Sequence, residues 1–296
     1  MTLIADLVEV DAPDPIEEAG GRQANLRTAL GQLARKPFFL IAVCYVLFVV
    51  VSAFAPRLFT SWGPYDTYPE SAVVAPSLDH LFGTDMYGRD VWTRVLYGSP
   101  LTIKATLIAL SIAVVAGLGV GVVSGFFGGR TDAFLMRIID VLLAIPGLLL
   151  ALSIVTALGY GTIPVAVAVG VGIVPGFART TRAEVLRVKT LPYVEAARAG
   201  GASWGRVLLR HILPNSWGPV AVLTVLDAGV AILAIASLSF LGFGAAPPAA
   251  EWGTLIADGR NYLVTAWWLS LLPGVFVAVL VLSLNHISKT LQELNR

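Results

Sequence analysis

Six long apolar segments restrict the fold of this chain more than any other feature. An α-helix rises 1.5 Å per residue, so about 20 apolar residues are needed to cross roughly 30 Å of hydrocarbon. The segments are continuously apolar, whereas the strands of a membrane barrel alternate between apolar and polar residues. The sequence therefore predicts an all-α, polytopic membrane protein with six transmembrane helices. The predicted spans are residues 37–55, 101–127, 133–158, 162–177, 220–240 and 268–284.

The composition agrees with a membrane protein. Charged residues make up only 13% of the chain, and the mean hydropathy is +0.79. A soluble domain carries about a quarter charged residues to cover its water-facing surface. The net charge of +1 gives no reason to expect nucleic acid as a partner, and the expected surroundings are a lipid bilayer. The single cysteine, Cys44, lies within the first span and is interpreted as a packing or membrane-facing residue.

Lysine and arginine residues predict the orientation of the spans. If the amino terminus is cytoplasmic, 15 of them lie in cytoplasmic segments and 4 in external segments. Cytoplasmic loops carry the excess of these residues, so both termini are predicted to be cytoplasmic. Cytoplasmic tails at 1–34 and 291–296 then flank a transmembrane domain at 35–290. That domain has an external segment at 57–100, a cytoplasmic loop at 179–216 and an external loop at 242–266.

The cytoplasmic loop contains the sequence EAARAGGASWGRVLLRHILPN at residues 195–215, which is too polar to span the membrane. Pro192 indicates the start of a short helix. Gly201 indicates its end, because glycine adopts the left-handed backbone conformation without a side-chain clash. Ser203 is the predicted N-cap of a second helix, which Pro214 is predicted to close.

The second loop helix has one apolar face. Arg206 and Arg210, one turn apart, lie on another face. A helix of about nine residues is marginal in water, so its apolar face must pack against something. Periodicity leaves open whether that is the bilayer surface, the rest of the bundle or another protein. The residues of the apolar face are Trp204, Val207, Leu208, His211 and Ile212.

The wording of this loop resembles a known family. EAA, three residues and Gly201, with Leu213-Pro214 twelve residues further on, is similar to the EAA loop of bacterial ABC importer permeases. The ending RHILPN is typical of the peptide and nickel branch, although the family often has isoleucine at the place of His211. The chain is most similar to the C-type permease subunit of dipeptide and oligopeptide importers. Four further segments resemble that branch in the same order: HLFGTDMYGRDVWTRVLYG (80–98), MRIIDVLLAIP (136–146), ASLSFLGFGAAPPAAEWG (236–253) and GRNYLVTAWW (259–268).

This resemblance implies a location in the bacterial plasma membrane and a set of partners. The expected partners are a homologous second permease, two cytoplasmic ABC ATPase subunits and an extracytoplasmic substrate-binding protein. The loop is expected to form a coupling helix that inserts into a groove of an ATPase subunit and links ATP-driven closure to alternating access. The residues implied in coupling are Glu195, Ala196, Ala197, Gly201, Ser203, Arg206, Arg210, Leu213 and Pro214.

The chain is not expected to be an enzyme. None of its four lysines stands in the Gly-Lys-Ser/Thr context of a phosphate-binding loop, so ATP and Mg²⁺ are expected to bind to the partner ATPase subunits. Its three histidines are too scattered for a metal site or for a nucleophile–base pair. The predicted function is half of the translocation pathway of an ATP-driven importer of di- or oligopeptides. The alternatives are a nickel-chelate or glutathione-like substrate, and, from a different class, an ATP-independent secondary transporter.

One carboxylate lies deep in a predicted span. The family commonly has a glutamate in the wording TEASLSFLG, where this chain has Ile235. Asp227 precedes that position by about two helical turns and is the candidate pathway residue. The alternative is a hydrogen bond within the bundle, since a carboxylate in a membrane needs a partner or water.

Two external segments hold candidate docking residues. Asp85, Arg89 and Asp90 in GTDMYGRD predict a turn held by ion pairs, and Trp252 follows a Pro-Pro sequence in the second external loop. These residues are predicted either to dock the substrate-binding protein or to order the structure over the pore mouth.

Two smaller patterns predict helix packing. Gly117, Gly121 and Gly125 recur every four residues in the second span and predict a close helix–helix seam. Arg137 and Asp140, three residues apart, predict an ion pair on the surface of the third span.

Overall fold

The computed structural model describes residues 36–294, which form helices joined by mostly short connections, apart from the long segment 55–90 between the first two α-helices. Residues 1–35, which include the predicted tail at 1–34, and the last two residues of the chain lie outside the described residues. The helices are α1 (Pro37–Phe54), α2 (Val91–Phe127), α3 (Gly129–Ala144), α4 (Gly147–Leu158), α5 (Thr162–Lys189), α6 (Pro192–Ala199), α7 (Trp204–Val207), α8 (Leu213–Phe240), α9 (Trp252–Gly259) and α10 (Trp268–Leu294).

Five helices are long and apolar enough to cross a membrane. They are α1, α2, α5, the helix at Trp204–Phe240 and α10, and the pair α3–α4 makes a sixth span if it is counted as one. This confirms the predicted all-α, multi-pass fold. We call the end of the bundle that carries residues 189–216 the loop end, and the opposite end the far end.

A seam of small residues joins α2 to α5, which is the most extensive helix pair in the described part of the chain. Gly117, Gly121 and Gly125 are all buried on the side of α2 that faces α5. A β-carbon at Gly121 would lie 2.5 Å from Cβ of Thr181 and 2.6 Å from the carbonyl oxygen of Ala178, so only glycine allows this approach. The predicted packing seam is confirmed.

The third predicted span is not one straight helix. α3 and α4 meet at an angle of 94°. Ile145, between them, has φ −92° and ψ 128°, which is extended backbone, and Pro146 follows it. Proline disfavours the helical conformation of the preceding residue, because its Cδ clashes with that residue's N–H and Cβ. The prediction of a continuous helix across residues 133–158 is therefore wrong.

The second loop helix does not end at Pro214. Helix α7 passes through a π-helical turn at Leu208–Ile212 directly into α8, so residues Trp204–Phe240 form one helical rod. In the wide turn the N–H of Leu213 bonds to the carbonyl of Leu208, five residues back. Pro214 then stands in the first turn of α8, where a missing N–H costs little. The prediction that Pro214 closes the helix is wrong for this reason.

An aromatic core fixes the far end of the bundle. Trp252 and Trp268 are buried together with Phe276 of α10 and Val95 of α2. The rings of Phe48 in α1 and Trp92 in α2 stack with their centroids 6.0 Å apart. This core holds α1, α2, α9 and α10 against one another and positions the connections around them.

Candidate functional site

The apolar face of the loop packs mainly against its own bundle. Val207 and Ile212 are fully buried in a cluster with Phe126 at the end of α2 and Val185 of α5. The cluster also includes Val194 of α6, which is buried, and Leu208, which is partly buried. Periodicity left three possible surroundings for this face, and the structure shows that two of its residues, Val207 and Ile212, are buried against the rest of the bundle.

Three side chains hold the loop to the end of α2. The Nζ of Lys189 donates a hydrogen bond of 2.7 Å to the carbonyl oxygen of Phe126, one of the carbonyls that a helix leaves unpaired at its C-terminus. The ring of Trp204 meets the ring of Phe126 edge-on at 5.2 Å, and the guanidinium of Arg198 lies 3.8 Å above the Trp204 ring. These contacts fix the position of α6 and α7 relative to the spans.

Most of the residues implied in coupling are exposed at the loop end. Ala197 and Leu213 are half-buried, and the other seven are exposed: Glu195, Ala196, Gly201, Ser203, Arg206, Arg210 and Pro214. Gly201 has φ +85° and no atom within 4 Å of the place where a β-carbon would stand. Ser203 is at the N-cap of α7 as predicted, but its side chain makes no capping hydrogen bond. We call this set the loop surface.

Aspartates of α3 pair with arginines of α5. Asp132 accepts two hydrogen bonds from Arg182, of 2.5 and 2.6 Å, and a third from Ser124 of α2. Asp140 pairs with Arg179 at 2.6 Å in an exposed position. The prediction of an Arg137–Asp140 pair is wrong, because Asp140 pairs with Arg179 of the neighbouring helix instead. Sequence spacing gave no signal for either interhelical pair.

Asp227 is half-buried on α8 and has no hydrogen-bond or ion-pair partner among residues 36–294. The predicted alternative, a hydrogen bond within the bundle, is therefore not formed by Asp227 with any of the described residues. Ile235, at the place of the family's glutamate, is fully buried in the core formed by α2, α4, α5 and α8. The two positions thus have different surroundings, and Asp227 is the one with access to the surface of the bundle.

At the far end, the predicted ion-paired turn is present but faces inward. The Nε of Arg89 donates to Asp85 at 2.6 Å, and Asp85 also accepts from the backbone N–H groups of Tyr87 and Arg89. Asp90 caps α2 by accepting from the N–H of Thr93 at 2.7 Å and also meets His80 at 2.9 Å. Asp85, Arg89 and Asp90 are all buried, so they order this segment and offer little surface for docking.

Trp252 is also inside the protein. Its side chain is fully buried, and its indole N–H donates to the carbonyl oxygen of Val95 at 2.9 Å. Of the two roles predicted for Trp252, ordering of the structure fits this position and docking does not, because the buried ring anchors α9 to α2. The residue before it, Glu251, was missed by the sequence interpretation. Its buried carboxylate accepts from the hydroxyl of Ser239 at 2.7 Å and from the N–H of Ala245 at 2.8 Å, which ties the connection after α8 in place.

No group of three or more histidine, cysteine, aspartate or glutamate side chains able to hold a metal occurs in residues 36–294.

Comparison with known proteins gives a consistent result. Residues 117–295 match the family described as "Binding-protein-dependent transport system inner membrane component". A protein of Brucella suis biovar 1, named as a peptide transport system permease protein, is 40% identical over 293 residues, which are 99% of this chain and 97% of that protein. The dipeptide transport system permease protein DppC of Alkalihalophilus pseudofirmus is 35% identical over 286 residues, 96% of this chain and 93% of that protein.

The fold is similar to that of a solved transporter. The structure described as inward-facing conformations of the MetNI methionine ABC transporter matches with a TM-score of 0.57 and 18% identity, covering 69% of this chain and 97% of that one. With so low an identity, this likeness concerns the fold alone. The family match and the relatives favour a permease over an ATP-independent secondary transporter. This chain belongs to the family of binding-protein-dependent transport system inner membrane components, the membrane permeases of ABC importers.

Proposed function

We propose that this chain forms half of the translocation pathway of an ATP-driven importer of di- or oligopeptides. The relatives named for peptide and dipeptide transport support this substrate class. In this proposal a homologous second permease forms the other half, and two cytoplasmic ATPase subunits bind ATP and Mg²⁺. An extracytoplasmic substrate-binding protein delivers the peptide. A glutathione-like or nickel-chelate substrate is the alternative within the same family.

The proposal places the loop end in the cytoplasm and the far end outside the plasma membrane, with both termini cytoplasmic. The excess of lysine and arginine at the loop end supports this orientation. Asp227 lines the pathway in this arrangement, and the segment around Asp85 lies where a substrate-binding protein approaches.

The loop surface is the observation that carries this function. It exposes charged side chains of both signs, among them Glu195, Arg206 and Arg210. The helix beneath it runs without a break into a transmembrane span. A subunit that binds the loop surface can therefore move the span, and ATP-driven closure of the ATPases is converted into alternating access.

The test is to alter the backbone of the loop surface at Gly201. A leucine at φ +85° is strained by roughly 1–2 kcal/mol, whereas asparagine tolerates this region better. We expect Gly201→Leu to lower ATP-driven peptide uptake into proteoliposomes by about tenfold, since 1.4 kcal/mol corresponds to a factor of ten. Gly201→Asn is the matched variant and should keep most of the uptake.

The same preparations should be assayed for ATPase attachment and for ATP hydrolysis stimulated by the substrate-binding protein. Reduced attachment, or hydrolysis without uptake, is the expected result for Gly201→Leu. Normal attachment together with normal uptake in that variant would contradict a coupling role for the loop.

A further inference from the structure

A large cleft opens at the far end of the bundle, next to the mouth of the proposed pathway. Its volume is about 810 Å³, within the range of about 300–1,000 Å³ typical of small-molecule sites. Three segments line it. They are the connection at 239–249, the turn at 86–89, and residues 257–262 at the end of α9 and directly after it. We call this feature the external cleft.

Two charged side chains of opposite sign line the cleft without partners. Asp258, in the last turn of α9, and Arg260, directly after it, are both exposed. Neither takes part in a hydrogen bond or ion pair with another side chain in the described range 36–294. Desolvation raises the pKa of Asp258, and the guanidiniums of Arg94 and Arg89 lower it without cancelling that rise. The protein therefore does not fully satisfy this carboxylate.

Arg94 is a buried arginine close to Asp258. It is 2% exposed, its Nη1 donates to the carbonyl oxygen of Pro64 at 3.1 Å, and its Nε lies 3.7 Å from Asp85, which is an ion pair but too long for a hydrogen bond. This guanidinium and Asp258 both border a cavity of about 20 Å³, which is room for one water molecule. Although desolvation raises the pKa of Asp258, the positive charge of Arg94 lowers it and so favours the ionised carboxylate at the cleft.

The walls are held rigidly. The buried carboxylate of Glu251 ties the connection at 239–249 to Ser239 and Ala245, as described above. The ring of Phe243, on that connection, stacks on Tyr160 at 5.5 Å, and the carbonyl oxygen of Phe243 accepts from the N–H of Gly161. Binding to a site with fixed walls loses less conformational entropy than binding to a mobile loop.

The remaining lining suits a peptide. Tyr87, Tyr160 and Tyr262 contribute rings with hydroxyl groups, which can contact apolar side chains and also hydrogen-bond to peptide amides. Small residues and prolines of the connection leave space between these rings. The cleft thus combines one free anion, one free cation and several aromatic donors.

We propose that the external cleft binds the charged end groups of a short peptide, with Arg260 receiving the terminal carboxylate and Asp258 the terminal ammonium. This inference rests on the proposed function and assigns a receiving site for the substrate on the permease itself. A bidentate guanidinium–carboxylate contact and a charge-assisted ammonium contact are the interactions that these residue types form best.

The test measures the binding of alanyl-alanine to the assembled permease–ATPase complex in nanodiscs by saturation-transfer NMR, without the substrate-binding protein. We expect Arg260→Gln and Asp258→Asn each to weaken binding by about tenfold, the usual scale for one hydrogen bond to a charged group. Arg57→Gln is the matched control, because Arg57 is an exposed arginine of the same end that does not line the cleft. It should bind the peptide as the wild type does.

Blocked peptides assign the two ends separately. In the wild type, amidating the carboxyl terminus or acetylating the amino terminus should each weaken binding. The effect of amidation should disappear in Arg260→Gln, because that variant lacks the proposed partner of the terminal carboxylate. The effect of acetylation should disappear in Asp258→Asn, because that variant lacks the proposed partner of the terminal ammonium. Gel filtration of every complex shows whether the variants assemble.

Uptake of alanyl-alanine by the complete wild-type transporter separates this inference from the proposed function. If the wild type neither imports nor binds the peptide, the proposed substrate class is wrong, and the proposal that the external cleft binds peptides is then wrong as well. If the wild type imports it but cleft variants bind it equally well, only the cleft assignment is overturned. Loss of ATPase stimulation by the binding protein, with unchanged peptide binding, would identify the cleft as a docking surface and also overturn it.

Discussion

At the scale of single residues, the buried and half-buried carboxylates within residues 36–294 differ in their surroundings. Glu251 and Asp132 are surrounded by hydrogen-bond donors, as carboxylates removed from water usually are. Asp227 is half-buried in a span and has no such donor within residues 36–294. A charged residue at the centre of a membrane helix costs about 2.5–3.5 kcal/mol on insertion scales, and such residues usually mark a pathway.

Replacing Asp227 with asparagine tests this role. If the carboxylate contacts cationic groups of the substrate, Asp227→Asn should lower the uptake of lysyl-alanine about tenfold and leave that of alanyl-alanine nearly unchanged. The measurement is initial uptake into proteoliposomes at saturating binding protein, so that differences in delivery are small. Asp140→Asn, which removes a charge from an exposed pair, is the matched control.

Equal uptake of both peptides by Asp227→Asn and wild type would contradict a selectivity role. A parallel loss for both peptides would instead show that Asp227 supports the bundle or its assembly.

At the scale of the elements, the α2–α5 seam sets how closely two spans can approach. Gly121→Ala adds one carbon at 2.5 Å from Cβ of Thr181 and 2.6 Å from a backbone carbonyl, so the helices must separate. Overpacking of this kind costs about 1–3 kcal/mol. We expect a lower thermal midpoint for the purified complex, measured by loss of monodisperse protein on heating.

Gly119→Ala on the same helix is the control for that experiment. A β-carbon there has no atom within 4 Å, and alanine is the better helix former. It should leave the midpoint unchanged or raise it slightly. Equal effects of the two substitutions would mean that close packing does not stabilise this seam.

The helices also show which structural features could be predicted from the sequence. Apolar runs predict the spans, and glycine spacing predicts the seam, because both depend on residues close in the chain. Pro146 and Pro214 look alike in sequence, yet one breaks a helix and the other lies inside a continuous rod. The difference is the π-helical turn before Pro214, which depends on Val207 and Ile212 packing against distant helices. The pairing of Asp132 with Arg182 and the burial of Trp252 depend on tertiary contacts in the same way.

At the scale of the whole molecule, the orientation in the membrane can be measured directly. Ser203 and Ala246 are exposed at opposite ends of the bundle. In a Cys44→Ala background, we expect Ala246→Cys to react with a membrane-impermeant maleimide in intact cells. Ser203→Cys should react only after the membrane is permeabilised, because the loop end is predicted to be cytoplasmic.

The control is labelling in permeabilised cells that express this chain without the ATPase subunits, so that the loop surface is uncovered and both cysteines should react to the same extent. Labelling of Ser203→Cys in intact cells would reverse the proposed orientation, and the loop could then not meet an ATPase subunit.

The continuous helix from Trp204 to Phe240 relates a tilt at the loop to a displacement at the far end. Its 37 residues, at 1.5 Å each, make a lever about 55 Å long. A tilt of about 5° at the loop displaces the opposite end by about 5 Å, close to the rise of one helical turn. Ser239 stands at that end and is bonded to Glu251, which holds a wall of the external cleft. If the loop end is cytoplasmic, as proposed, a movement of the loop would be transmitted along this helix to the wall of the external cleft, and Pro219, inside α8, is the one proline at which the helix could bend above the π-helical turn.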